Sequence, residues 1–439
     1  ATGAGNAVDV RRNDGTGTFG APTTVAATGT GTQALALGDW DNDGDLDLAA
    51  ANTGTPSVSV WLNDELRVTA VSPARHAPSA PVASDVSLTF DAPLQNTAGT
   101  LGAVRVFGEQ THGRRLDGQG ATASVSGNTL TLNPDVDFRP GETVRVTTTT
   151  AATATTGQSL LRGHVHHFVA RAGVGPGVFQ PLPDVANVGG GVGGMATADV
   201  NADGFLDLLV PNASSSTPRI QVRYGDGTGA FAGTTDVVTG AGPRMVRPAD
   251  LDGDGDLDLV IHSFAANRVG VQLNQGGGAF GAFTVVNVGA AVGGFFPFAV
   301  GDVDGDGDLD LAVSRGSGVV AFARNDGAGA FPAFSTITIA GGSGPVPALA
   351  DVDNDGDLDL LGLDVSNPVF YWRRNDGTGQ FSGTESVALA GGAGSRLTLE
   401  AGDVDSDGDV DVVVGNTNLG NTQLLRNDGT GTFTAEAAL

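Results

Sequence analysis

The sequence predicts an all-β chain: a β-propeller of the seven-bladed type, interrupted by an inserted β-sandwich. Three observations predict it. The composition suits short strands and turns, one acidic motif recurs about every 50 residues, and the period breaks once by the length of a small domain.

Of 439 residues, 69 are Gly and only 2 are Met, and Thr, Ala, Val and Asp are abundant. Such a composition favours strands joined by turns over long helices. The length exceeds one small core, so several domains or a large repeat ring are expected. There are 49 acidic residues against 22 basic ones, and every basic residue is Arg. A net charge of −27 repels nucleic-acid phosphates and anionic membrane surfaces. No apolar run of ~20 residues is present to cross a bilayer as a helix. There is no Cys, so stability must come from burial, pairing or metal. Any export leader is expected to have been removed or to lie outside this chain.

The repeat carries an acid at alternating positions. Its copies place Asp39, Asp41, Asp43, Asp45 and Asp47 in the first loop, and Asp199, Asn201, Asp203, Phe205 and Asp207 in the second. The third has Asp250, Asp252, Asp254, Asp256 and Asp258; the fourth has Asp302, Asp304, Asp306, Asp308 and Asp310. Asp351, Asp353, Asp355, Asp357 and Asp359 form the fifth, and Asp403, Asp405, Asp407, Asp409 and Asp411 the sixth. From the second copy onward the spacing is 51, 52, 49 and 52 residues. After most copies comes a β-rich run and then Asn-Asp-Gly-Thr-Gly-x-Phe or a close relative, as at Asn325–Phe331, Asn375–Phe381 and Asn427–Phe433. These are hairpin turns. Each unit therefore holds four short strands, two around the acidic loop and two around the turn, which is a propeller blade.

Between Asp39 and Asp199 the interval is 160 residues. The turn motif opens at Leu62-Asn63-Asp64 and closes at Gly173 to Phe179, and taking out residues 65–172 restores a spacing of 52. The expected division is 1–64 and 173–439 for the propeller and 65–172 for the insert, which sits at a hairpin tip, where insertions are tolerated. The insert holds 9 Arg and 8 acids, leaving the remainder at 13 Arg and 41 acids. Alternating runs such as Val86–Phe90, Leu130-Thr-Leu132 and Val144-Arg-Val146 read as half-buried strands of a β-sandwich. This domain is expected to fold by itself. Aligning Ala1–Asp14 with Ala51–Asp64 at an offset of 50 makes the first residues the last two strands of a blade. The chain then supplies six full blades plus a half blade, and a seventh acidic motif is expected upstream.

Like charges at every second residue repel unless a cation sits among them. Side chains at positions one, three and five converge when Gly at position six permits a sharp turn. The carbonyl at position seven and the Asp at position nine complete an oxygen shell suited to calcium. Phe205 at position seven fits that reading, because only its backbone oxygen is required. Position twelve, a Glu in EF-hands, is Ala50 in the first loop and Ile261 in the third. About six calcium sites are expected.

The acidic motif, as in Gly38-Asp-Trp-Asp-Asn-Asp-Gly-Asp-Leu-Asp47, and Phe19-Gly-Ala-Pro22 resemble the FG-GAP/VCBS repeats of integrin α-subunit propellers and of bacterial surface proteins. The resemblance implies calcium in loops between the first two strands of each blade, and an adhesive or ligand-presenting role. The insert is similar to bacterial Ig-like domains of the surface-layer SbsA type, through Val86-Ser-Leu-Thr-Phe-Asp91 and Asn133-Pro through Phe138-Arg-Pro-Gly-Glu142.

Other candidates are weaker. His164 and His166 would share one face of a strand beside His167 and could hold zinc, though solvated strand histidines are commoner. Trp40, Trp61, Trp372, Tyr224 and Tyr371 could stack on sugars, but core packing is the stronger expectation. No Ser-His-acid elbow is seen, and Gly189–Gly194 lacks the Lys and helix of a phosphate loop. The expected function is a secreted or cell-surface, calcium-stabilised binding or adhesion module with a protein or glycan ligand, not an enzyme. The alternatives are a lectin-like or accessory part of a polysaccharide-active enzyme, and a structural component of a surface layer or filament.

Overall fold

The computed structural model describes residues 7–11, 23–26, 29–38, 40, 47–62, 65–110, 113–173, 184–185, 194–213, 218–239, 242–263, 268–289, 298–316, 318–339, 346–364, 368–389, 397–416 and 420–437. The chain divides into two compact units, Ala1–Leu66 and Arg67–Leu439. The first contains an antiparallel hairpin, Ala7–Val10 with Thr23–Ala26, as the offset of 50 residues predicts. It also contains a three-stranded antiparallel sheet of Thr32–Gly38, Asp47–Asn52 and Ser57–Trp61. The fourth strand expected after Phe179 lies outside the described residues.

In the second unit, residues 68–169 supply eight strands. Their order across the sheet is His164–Val169, Thr143–Thr148, Val104–Gly108, Arg114–Asp117, Gly120–Ser126, Thr129–Pro134, Val86–Phe90 and Val68–Ser72. The strand Arg114–Asp117 joins what would otherwise be two sheets, pairing antiparallel with Val104–Gly108 and parallel with Gly120–Ser126. The alternation read from the sequence has its cause here. Val86, Leu88, Phe90, Leu130, Leu132, Val104, Val106, Val144 and Val146 are all fully buried, while their polar neighbours face outward.

Five four-stranded antiparallel meanders follow, each in chain order. The first is Ala196–Ala198, Asp207–Asn212, Arg219–Gly225 and Phe231–Val238, and the last ends at Phe433–Ala435. In every one the second strand begins on the ninth residue of the acidic motif: Asp207, Asp258, Asp310, Asp359 or Asp411. These second strands are flanked on both edges and covered on both faces, so Asp258–Ser263 and Asp359–Asp364 are buried throughout. The cores lie between consecutive sheets. One joins Leu361, Phe370 and Trp372 to Val412, Leu425 and Phe433, and Phe433 meets Phe370 and Trp372 edge-on at 5.0 Å from each. Another joins Leu251, Val260 and Val271 to Leu309, Leu311 and Val313 and takes in Phe107 from the inserted strands. The insert thus packs against the blades, with Phe107 as its apolar contribution to that core.

Candidate metal centres

Each of the second to sixth acidic loops is a compact turn whose backbone explains its sequence. The Gly at position six lies in the left-handed region, with φ of 92° at Gly204, 98° at Gly255, 90° at Gly307, 96° at Gly356 and 97° at Gly408. Position four does the same, and there the chain is less strict: Gly253 and Gly305, but also Ala202, Asn354 and Ser406 at 58°, 62° and 66°. Apart from His76, these three are the non-Gly residues with positive φ among the described residues. Such strain, on the order of 1 kcal/mol each, is tolerated when neighbouring bonds hold it. The position-one Asp supplies such bonds: in the sixth loop Asp403 accepts the N–H groups of Ser406 at 2.6 Å and Gly408 at 3.1 Å. Asp250 accepts N–H groups from Gly253 at 2.7 Å and Gly255 at 3.0 Å, and Asp302 accepts them from Gly305 and Gly307 at 2.7 and 2.8 Å.

The position-nine Asp is a clamp. In the fifth loop Asp359 accepts the Val352 N–H on one oxygen at 3.0 Å and the Asn375 N–H on the other at 2.8 Å. The same pair of bonds recurs at Asp207, Asp258, Asp310 and Asp411. In the first loop, Asp47 accepts the Trp40 N–H at 2.8 Å. Position nine therefore ties the acidic loop to the end of the third strand.

The Asn of the hairpin motif does more than turn the chain. Asn375 donates through Nδ2 to Leu358 O in its own loop, at 3.0 Å, and to Val303 O in the preceding loop, at 2.7 Å. Asn274, Asn325 and Asn427 reach back in the same way to Val200, Leu251 and Val352. Asn375→Ala strands two buried carbonyls and is expected to cost about 1–3 kcal/mol, read as a lower urea midpoint with an unchanged slope.

Three loops bring their carboxylates together. One oxygen each of Asp250, Asp252 and Asp254 lies within 4.8 Å of the others, as do those of Asp302, Asp304 and Asp306, and of Asp351, Asp353 and Asp355. In the sixth loop the converging set is Asp403, Asp405 and Asp411. Asp203 in the second loop instead takes the Asn201 amide at 2.9 Å. Asp39, Asp41, Asp43 and Asp45 lie outside the described residues. Burial dominates the electrostatics. It pushes the carboxyl of Asp302 up to about 7 and that of Asp351 to about 7, and those of Asp258, Asp357 and Asp359 to about 8. Neighbouring acids add to the rise in each case. A divalent cation reverses this balance. The donor set is all oxygen, as calcium requires, and the buried Asp351 Oδ1, together with Asp304 Oδ1 and Asp353 Oδ1, has no hydrogen-bond partner. The residues fit the ion.

Position seven behaves differently. Its N–H bonds the position-five carboxylate, at 2.8 Å in Phe205, 2.9 Å in Asp308 and 3.0 Å in Asp357. Its side chain is engaged elsewhere: Asp308 pairs with Arg105 and Arg114, Asp357 pairs with Arg162, and Asp409 accepts from Asn354.

These arginines are functional residues that sequence reasoning missed. Within the blades, Arg324 bridges Asp304 and Asp310 at 2.7 and 3.3 Å, and Arg426 bridges Asp405 and Asp411 at 2.8 and 3.0 Å. Arg374 meets Asp353 at 3.0 Å. All three stand immediately before the Asn-Asp of the hairpin motif, a regularity open to a reader of the sequence. The corresponding residues of the other two sheets are Tyr224 and Leu273.

The histidines are not solvated, as the commoner expectation had it. His76, His164 and His166 are buried, and neither ring nitrogen of His166 has a partner. The His164 and His166 rings lie 5.5 Å apart, and those of His76 and His167 4.6 Å apart. Burial holds all four neutral, with His164 and His167 lowered to about 3 and His76 to about 4. Among the described residues the converging ligand sets are all acidic, so zinc gains no support. Trp372 is core, stacked on Phe370 at 5.3 Å, whereas Trp40 beside the first loop is 46% exposed.

Two family models agree with this architecture. A model of FG-GAP-like repeats matches residues 1–50, 199–261, 302–362 and 351–414, together just over half of the chain. A model of bacterial Ig-like domains matches residues 63–169. No curated protein matches the chain. Among solved structures, a lectin from Agrocybe aegerita specific for non-reducing terminal N-acetylglucosamine is 22% identical, with 79% of this chain and 93% of that chain covered and a TM-score of 0.46. The periplasmic gluconolactonase of Pseudomonas aeruginosa is 15% identical over 92% of this chain and 95% of that chain, with a TM-score of 0.40. With its matched repeats, its acidic loops between first and second strands, and the domain set among them, the chain belongs to the FG-GAP-like repeat family and carries a bacterial Ig-like domain.

Proposed function

We propose that the chain is a calcium-stabilised extracellular binding module, a scaffold that presents a protein or glycan ligand and catalyses nothing itself. The observation that carries the calcium reading is the convergence of the first, third and fifth carboxylates in three successive loops, each closed by a clamped position-nine Asp. Asp250, Asp252 and Asp254, with their counterparts in the next two loops, would hold the ion, and the ion would supply the positive charge that these buried acids lack. Clefts of paired acids can serve as acid and base, but in the second to sixth loops both oxygens of the position-nine Asp are committed to backbone N–H groups. A secreted or cell-surface setting suits such loops, because extracellular modules bind calcium with constants of ~0.1–1 mM. Equilibrium dialysis at 2 mM calcium is expected to find about one ion per acidic loop. Asp302→Asn with Asp306→Asn should lower the count by one. A chain that retains no calcium in dialysis would sink the reading.

A further inference from the structure

We infer that the Ig-like domain docks on the acidic-loop face of the blades through a set of arginines, and that this docking is linked negatively to calcium. The inference rests on the calcium reading above. Of the nine arginines between residues 65 and 172, five reach the loops. Arg139 meets Asp199 at 3.5 Å, and Arg75 meets Asp351 at 2.9 Å. Arg105 and Arg114 converge on Asp308 at 3.0 and 3.3 Å, and Arg162 meets Asp357 at 3.2 Å. Asp199 and Asp351 occupy position one, so a guanidinium and a cation address the same carboxylate. Arg75 takes Asp351 Oδ2 and also the Asn354 carbonyl at 2.6 Å.

The contact is more than charge. Phe107 is 4% exposed within the core shared by two blades. Gly113 N–H donates to Gly255 O at 2.9 Å, and Val165 N–H to Gly356 O at 2.5 Å. A Cβ on Gly163 would stand 2.2 Å from Gly305 O, and one on Gly113 would stand 2.4 Å from Asp250 Cβ. The domain therefore approaches the loops backbone to backbone, at positions where Gly alone fits. Two cationic groups drawn to one acidic loop weaken each other's binding, and by linkage the effect is reciprocal. Calcium in the loops loosens the domain, and a docked domain lowers calcium affinity.

Hydrogen exchange on the full chain tests this, at matched ionic strength in calcium, magnesium or chelator. Peptides containing Gly113 and Val165 are expected to exchange about fivefold or more faster in calcium than in chelator, within the usual range of coupling. Magnesium, as the control for screening, should leave them slow. Arg75→Gln with Arg139→Gln should raise calcium affinity about fivefold by calorimetry. Gly163→Val alters no charge and should raise it as well, by prising the domain away. A wild-type chain that binds no calcium overturns the calcium reading and the linkage with it. Calcium binding that leaves the Gly113 and Val165 amides unchanged, or slows them, overturns the linkage alone.

Discussion

Chelation of calcium is expected to lower the melting temperature of this chain by more than about 10 °C. A site with a constant of ~0.1 mM, at ~1 mM calcium, adds about 1.4 kcal/mol. Several such loops act on one set of sheets, and each kcal/mol is worth about 2–4 °C in domains of ~150–250 residues. The effect is large because the loops are not appendages. From the second loop onward each starts the second strand of its sheet, and its position-nine Asp also holds the end of the third strand. Calorimetry in 2 mM calcium and in excess chelator measures the difference; superimposed traces would refute it.

The second large effect is a reversal of pH dependence. Without divalent ions, burial keeps the carboxyls of Asp258, Asp357 and Asp359 titrating at about 8 and those of Asp302 and Asp351 at about 7. In the unfolded chain they titrate near 4. Between those limits the folded protein binds more protons than the unfolded one, so stability falls as pH rises from about 5 to about 8. The upper limit is about 1.4 kcal/mol per pH unit for each carboxyl that changes state. With calcium bound, the ligand carboxyls of Asp302 and Asp351 are held ionised and the nearby positive charge lowers the other three, so stability is lost instead as pH falls and protons displace the ion. Urea midpoints across pH 5–8, with calcium and with chelator, should slope in opposite directions. Parallel profiles would show that these carboxyls do not respond to the ion.

Much of this was legible in the sequence because the repeat is local. The alternation of Asp250 to Asp258, the Gly at position six and the Leu-Asp-Leu that follows mark a turn and the start of a buried strand, and the structure places the loop there. The alternating Val86–Phe90 and Val144–Val146 runs likewise announce a sheet with one covered face. What stayed hidden depends on distance in the chain. Asn375 reads as a turn residue, and nothing within its own repeat shows that its amide reaches Val303, 72 residues earlier. Arg75 and Asp351 are 276 residues apart, and their meeting is set by how the Ig-like domain seats, not by any pattern in either segment. The near-neutral insert set among strongly acidic repeats was the one available hint. The histidines were misread for a related reason: alternation on a short strand shows which residues share a face but not whether that face is covered.

The backward reach of the hairpin asparagines ties neighbouring blades together. Each amide takes a carbonyl from the acidic loop one blade earlier, so every such bond links a blade to its predecessor. A lesion at Asn427 frees Val352 O and disturbs the loop of Asp351 to Asp359, whereas the loop of its own blade keeps its Asp411 clamp on the Asn427 backbone N–H. Behaviour in such an array is set by nearest-neighbour terms, as in stacked repeats. Because a hydrogen bond couples both of its partners, loosening of one blade is felt by the blade before it and by the blade after it.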